Sequence, residues 1–171
     1  HSFPTRRSSD LAVNTRGALV EYYDDMMERE IAVTSVFSSG STYFEDNKLV
    51  CNEGNWNTTV KNYWPPEDHY LNFYARQPFT DGNISNETYQ SFDYRLPQDN
   101  SGQHDLMYAV TMNKRKVDLV VELNFKHALA AVTFNAKTAS NGLVVIVSGI
   151  DFCNVIRNGS FSSPSESTTQ P

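Results

Sequence analysis

Between residues 19 and 28, Leu19, Tyr22, Tyr23, Met26 and Met27 recur at three- and four-residue intervals. This spacing lays one apolar stripe along a helix whose other face carries Glu21, Asp24, Asp25 and Glu28. From Ile31 the period changes to two. The run IAVTSVF (Ile31 to Phe37) alternates and is rich in β-branched residues, which predicts a strand that Ser38–Ser41 breaks. Thr42–Phe44 and Lys48–Cys51 flank the polar triplet Glu45-Asp46-Asn47 and read as a hairpin, and the following stretch 52–57 reads as a turn. Trp64-Pro65-Pro66 removes two ladder donors in succession, so it marks a loop that leads into the strand of residues 70–78. There Leu71, Phe73 and Ala75 alternate with Asn72, Tyr74 and Arg76.

Residues 80–100 are polar and lack sustained periodicity, apart from a weak strand around Tyr89–Tyr94, which predicts a surface loop. Asp105–Met112 is the next strand, turned by residues 113–116. The clearest alternation follows: Val117, Leu119, Val121, Leu123 and Phe125 point one way, with Val120, Glu122, Asn124 and Lys126 on the other. His127–Ala136 is expected to continue as a neighbouring strand. Asn141-Gly142 supplies a type I′ turn before the apolar run 143–150, which predicts a buried strand, and Asp151–Val155 and the short GSFS segment (residues 159–162) are further strands. About seven to nine short strands with turn signals between them predict an all-β fold, an antiparallel β-sandwich with one short N-terminal helix.

A chain of 171 residues with 39% apolar content has room for one substantial core. The expected division is a foreign-looking leader at 1–10, one β-sandwich domain at 11–161, and a linker or frayed end at 162–171, where no apolar residue is available to bury. The leader HSFPTRRSSD resembles a cloning remnant more than native sequence. A formal net charge of −6 and 14 scattered Lys and Arg leave no continuous basic face to neutralise phosphates, so nucleic acid is not an expected partner. No apolar run reaches the roughly 18 residues of a membrane helix.

The search for catalytic chemistry returns weak signals. Motifs for a nucleophile elbow, a zinc protease helix, a phosphate-binding loop and a C-x-x-C site are missing. His104-Asp105 has the composition of an acid–base pair, but an exposed loop pair accounts for it as well, and His127 reads as a packed or capped histidine. Neighbouring carboxylates such as Asp24-Asp25 and Glu67-Asp68 do not face one another in regular structure. Catalytic, cofactor and metal sites are therefore expected to be none. Cys51 and Cys153 either bridge or, more commonly for two such thiols, stay free. Four N-x-S/T sequons, at Asn57, Asn83, Asn86 and Asn158, fall in turn-rich stretches. Trp56, Tyr63 and Trp64 are candidates for glycan contact by ring stacking, against the plainer alternative that Trp64 plugs one end of the sandwich.

Read in order, Thr15-Arg16-Gly17, YWPPEDHYLNFYARQP (63–78), HDLMYAVT (104–111), VELNFKHALAAVTFNA (121–136) and IDFCNVIRNGSFS (150–162) resemble the fimbrillin family in its Mfa-like N-terminal domain. Members of that family polymerise into type V pili. The resemblance implies a two-domain β-sandwich subunit that is exported as an outer-membrane lipoprotein, cut after an arginine, joined to other pilus subunits by an inserted strand, and needs no cofactor. On this chain Arg16 matches the processing arginine, and Leu11, Ala12, Val13, Asn14 and Thr15 would be the strand displaced. A host or bacterial surface ligand is a further implied partner. The family's lipid-bearing cysteine has no counterpart here, and the membrane link would run only through that anchor. A second domain, with its donor strand, is also without a counterpart. A carbohydrate-binding surface domain using Trp56, Tyr63 or Trp64 is the competing reading.

Overall fold

The computed structural model describes residues 23–99, 102–118, 120–132, 134, 146–151 and 153–169. Of the N-terminal stripe, the described part forms helix α1 at Tyr23–Met27, and Leu19 and Tyr22 lie outside the described residues. Its Met26 is buried against the core. Among the described residues nine strands follow: β1 Ile31–Phe37, β2 Thr42–Asn52, β3 Asn55–Thr58, β4 Leu71–Gln77, β5 Ile84–Ser85, β6 Ser91–Arg95, β7 Met107–Lys114, β8 Lys126–His127 and β9 Asn158–Ser162. They form a six-stranded sheet in the order β3-β2-β1-β4-β7-β8 and a three-stranded sheet in the order β5-β6-β9, with antiparallel pairing throughout. The all-β, sandwich-like class read from the sequence is the observed one.

The three central strands of the large sheet are covered on both faces, which explains why β1 is buried at nearly every position. One face carries Ile31, Val33, Leu71, Phe73, Ala75, Met107 and Ala109, beneath Met26 and the half-buried Trp64 and Phe125. The opposite face carries Val36, Tyr74 and Val110, and the small sheet lies over it. There Tyr108 packs on Phe161 of β9, ring centres 4.6 Å apart, and Tyr74 meets Tyr89 edge-on at 5.1 Å. Lateral rows such as Thr34–Tyr74–Val110 run across the three strands in register. Each fully buried aliphatic or aromatic side chain of this kind is worth about 1.5–3 kcal/mol of transfer free energy.

Several expectations need correction. Glu45-Asp46-Asn47 is no hairpin turn: Thr42–Asn52 is one strand, and the extra residues are absorbed as bulges against β1. Asp46 takes the left-handed φ of 45°, and its N–H is held by the Thr34 hydroxyl at 3.1 Å. The true turn is two residues long, Glu53-Gly54, with φ of 51° and 80°, the backbone of a type I′ hairpin, and it places Trp56 on β3. Residues 80–100 are more than a surface loop, since β5 and β6 build the second sheet and bury Phe92 and Tyr94.

The clearest alternating run, 117–126, does not form the long strand expected. A 3₁₀ turn occupies Lys116–Asp118, and among the described residues of the run and its continuation only Lys126 and His127 pair with β7. Its face assignment holds from Val121 on, where Val121, Leu123 and Phe125 pack on the core and Val120 is exposed; Val117, expected on the same face as these, is 55% exposed, and Leu119 lies outside the described residues. Neither the remainder of 128–136 nor 151–155 contributes a strand among the described residues. The expected buried strand at 143–150 is exposed over its described part, with Ile146 85%, Val147 46% and Ile150 47% accessible. Finally, the described part of the tail, up to residue 169, is bonded to the sheets: Ser163 donates its N–H to the Gln90 carbonyl, and Thr168 is buried on β7.

Candidate functional site

In an antiparallel strand the backbone groups of alternate residues point to opposite neighbours. In β7, Met107, Ala109 and Thr111 face β4, while Tyr108, Val110 and Met112 face the outer edge of the sheet. Strand β8 is two residues long, so it covers that edge only at Met107 and Tyr108. Beyond it the last residues of the chain take over. Thr168 donates its N–H to the Val110 carbonyl at 2.8 Å, and the Val110 N–H donates to the Thr168 hydroxyl at 3.1 Å. The same hydroxyl lies 3.2 Å from the Val110 carbonyl, to which it donates. The Met112 N–H donates to the Ser167 hydroxyl at 2.8 Å, and the Asn124 amide donates to the Thr168 carbonyl at 3.3 Å. This stretch of sheet edge is thus closed largely by side-chain hydroxyls.

The titratable groups form local pairs. His104 pairs with Asp81 at 3.3 Å rather than with its sequence neighbour Asp105, which pairs with His127 at 2.9 Å. His69 pairs with the adjacent Asp68 at 2.7 Å. These pairs are distributed over three places, and no group of three or more metal-ligating side chains occurs among the described residues. The buried Arg76 bridges Glu87, Nε to Oε1 at 2.6 Å, and also donates to the Pro78 and Phe79 carbonyls. Asp93 accepts from the Ser160 hydroxyl and from Asn86, and these bonds hold its carboxyl below the ordinary carboxylate range. Burial first, and the Asp81 carboxylate second, push the Tyr94 phenol up to about 12.

Of the residues singled out from the sequence, Trp56 and Trp64 are half-buried against the large-sheet core, Trp64 edge-on to Phe73 at 6.0 Å. Tyr63 is 69% exposed, with Lys61 Nζ 5.1 Å from its ring centre. The three rings therefore divide between core packing and solvent. Cys51 on β2 and the exposed Cys153 are free thiols. Arg16 and Leu11–Thr15 lie outside the described residues. Sequence reasoning missed Ser167 and Thr168, because a strip of small hydroxyl residues has no apolar pattern; its one signal is the β-branched Thr168 in a Ser- and Pro-rich tail.

A family model described as fimbrillin-like matches residues 24–171. No curated protein and no solved structure matches the chain. The match covers the greater part of the sequence, including both sheets and the anchored tail, so the chain belongs to the fimbrillin-like family, a family of structural subunits of surface fimbriae.

Proposed function

We propose that the chain is a structural subunit of surface fimbriae that joins neighbouring subunits by strand addition and supports adhesion. The observation that carries this reading is the outer edge of β7, where past Tyr108 the ladder is completed by hydroxyl groups of the tail. A strand edge with unsatisfied or weakly satisfied backbone groups is a template for another chain, and main-chain hydrogen bonds supply the affinity. Processing after Arg16, with Leu11–Thr15 as the segment displaced, is the activation step that this reading includes. Export as a lipoprotein and attachment to the outer membrane belong to the same reading. No cofactor is needed, because association exchanges backbone partners and makes no covalent bond.

The test is expression of the complete gene product on cells, followed by electron microscopy and mild-detergent electrophoresis of sheared surface material. Filaments containing this chain and a ladder of subunit multiples are expected, with Arg16→Ala blocking both. Full polymerisation of the Arg16→Ala form, with the 11–15 segment still attached, would remove processing from the scheme. Absence of filaments and ladder under all forms would refute the fimbrial reading.

A further inference from the structure

One end of the large sheet is where β1 begins, β4 ends and β7 begins, with Ala32 opposite Arg76 and Gln77 opposite Met107. Three pieces of chain meet there: residues 28–30 arriving from α1, residues 77–80 at the exit of β4, and His104 ahead of β7. Between them lies an open cleft of about 230 Å³. Its rim is tied together. The Phe79 N–H donates to the Glu30 carbonyl at 3.0 Å, and Lys48 joins the Glu30 carboxylate at 2.9 Å while its Nζ stands 4.8 Å from the Phe79 ring centre.

Two buried polar side chains support this cleft. The Asp81 side chain is 1% exposed; its Oδ1 accepts from the Asn83 N–H at 2.9 Å and the Asn83 amide at 2.7 Å, and its Oδ2 lies 3.3 Å from His104 Nδ1. An ionised carboxylate only accepts, so Nδ1 carries the proton of the imidazole, and Nε2 of the neutral ring is left as an acceptor. Gln77 lines the cleft at 2% exposure, and its Oε1 has no hydrogen-bond partner. The terminal torsion of a glutamine is soft, so the amide can turn this oxygen toward a donor placed in the cleft. Glu28, Arg29 and Thr80 line it too, and among the described residues their side chains make no hydrogen bond or ion pair.

The free groups mix both hydrogen-bonding roles. Arg29 and Thr80 donate; Glu28, Gln77 and His104 accept. A phosphate would be attracted by Arg29 but repelled by Glu28 and Glu30, and a cation would meet the reverse, so neither sign of concentrated charge is served. A sugar ring carries hydroxyls that both give and accept, no net charge, and a C–H face suited to Phe79 and Pro78. The cleft is smaller than the roughly 300–1,000 Å³ of sites for drug-sized molecules, which fits a single ring. We propose that this cleft binds one neutral pyranose residue of a glycan, held by Glu28, Arg29, Gln77 and His104. The inference gives the adhesion in the reading above its ligand class and rests on that reading for its purpose alone, because the cleft belongs to a single chain. It is a different place from Trp56, Tyr63 and Trp64, which do not line it.

The experiment follows the amide NMR spectrum of the full, isotope-labelled chain during titration with the methyl glycosides of glucose, galactose, mannose and N-acetylglucosamine, with the free reducing sugars, and with inorganic phosphate. Saturable shifts at Phe79, Thr80 and His104 are expected with at least one glycoside, at a Kd on the order of 1 mM. Arg29→Ala and His104→Ala lie outside the core, so the circular dichroism of the parent is kept while each weakens that binding roughly tenfold. Tyr63→Ala is expected to leave it unchanged. The absence of saturable shifts with every glycoside overturns the inference, as does binding that ignores both cleft variants or is lost in Tyr63→Ala. Phosphate binding more tightly than every glycoside overturns the ligand class. A free sugar that binds more tightly than its glycoside overturns the assignment to a glycan residue, whose anomeric oxygen is already linked. Glycoside binding at the cleft without a subunit ladder on cells supports the inference and refutes the fimbrial reading; a ladder without glycoside binding does the reverse.

Discussion

Replacing Tyr94 by phenylalanine should stabilise the domain. Tyr94 sits on β6 at 6% exposure, packed with Phe92 and Leu106, and its hydroxyl is buried with no hydrogen-bond partner. Such a hydroxyl costs about 1–3 kcal/mol in lost hydration. Removing one oxygen forfeits a few dispersion contacts at about 0.1–0.2 kcal/mol each, so the net gain is about 1 kcal/mol. For a domain of this size that corresponds to a rise in Tm of about 3 °C. The phenol's titration supplies a second reading of the same group. Its pKa of about 12 lies above the ordinary value of 10.0. Below pH 10 the folded and unfolded chains both keep this proton, so it gives stability no slope. Between pH 10 and 12 the unfolded chain releases it while the folded chain retains it, and stability falls as pH rises. Urea unfolding followed by tryptophan fluorescence, at neutral pH and at intervals above pH 10, measures both effects. The variant should gain at neutral pH with an unchanged m-value, and its advantage should grow through the alkaline range. A variant that loses more than about 1 kcal/mol at neutral pH would mean that the hydroxyl is satisfied in solution. Parallel alkaline slopes would mean that the ring is not shielded.

Three further outcomes are expected. Arg76→Ala should cost about 2 kcal/mol in urea unfolding, below the usual 3–5 for a buried pair because Glu87 is 34% exposed, and Glu87→Gln should cost less. Gly54→Ala places a Cβ that meets nothing within 4 Å, so its cost comes from the φ of +80° alone, about 1 kcal/mol by the same measurement. Ser160→Ala removes the larger of the bonds that depress Asp93, so a carboxyl titration followed by NMR should show the Asp93 pKa moving up toward the ordinary value. In the parent chain Asp93 supports the fold above the ordinary carboxylate range, and that support is lost as pH falls through its depressed pKa.

The chain's own pattern was sufficient for the elements that hold the middle of the molecule. Ile31–Phe37 and Leu71–Gln77 are strands at nearly the positions their alternation and flanking breaks indicate, and Met26 of the helical stripe is buried as its spacing requires. Alternation assigned the faces of Val121, Leu123 and Phe125, which pack on the core, but not that of the exposed Val117, and among the described residues of this run the ladder reaches only Lys126 and His127. The reason is that period two reports which side of an extended chain is apolar. Whether a neighbouring backbone lies at bonding distance depends on residues far away in sequence.

The same limit governs the site. Sequence order alone led to Arg16, Leu11–Thr15 and the family resemblance. It also left open how Trp56, Tyr63 and Trp64 divide between core and solvent, which only packing decided. Polar runs were the hardest to read. Glu45-Asp46-Asn47 became a bulge because β1 continues beside it, and Ser167 and Thr168 became part of a sheet edge because β8 ends after two residues. Local composition determined which segments extend and which faces they bury. Tertiary structure alone decided which backbone edges found partners, since a hydrogen bond between Val110 and Thr168 joins groups 58 residues apart and leaves no trace in either neighbourhood.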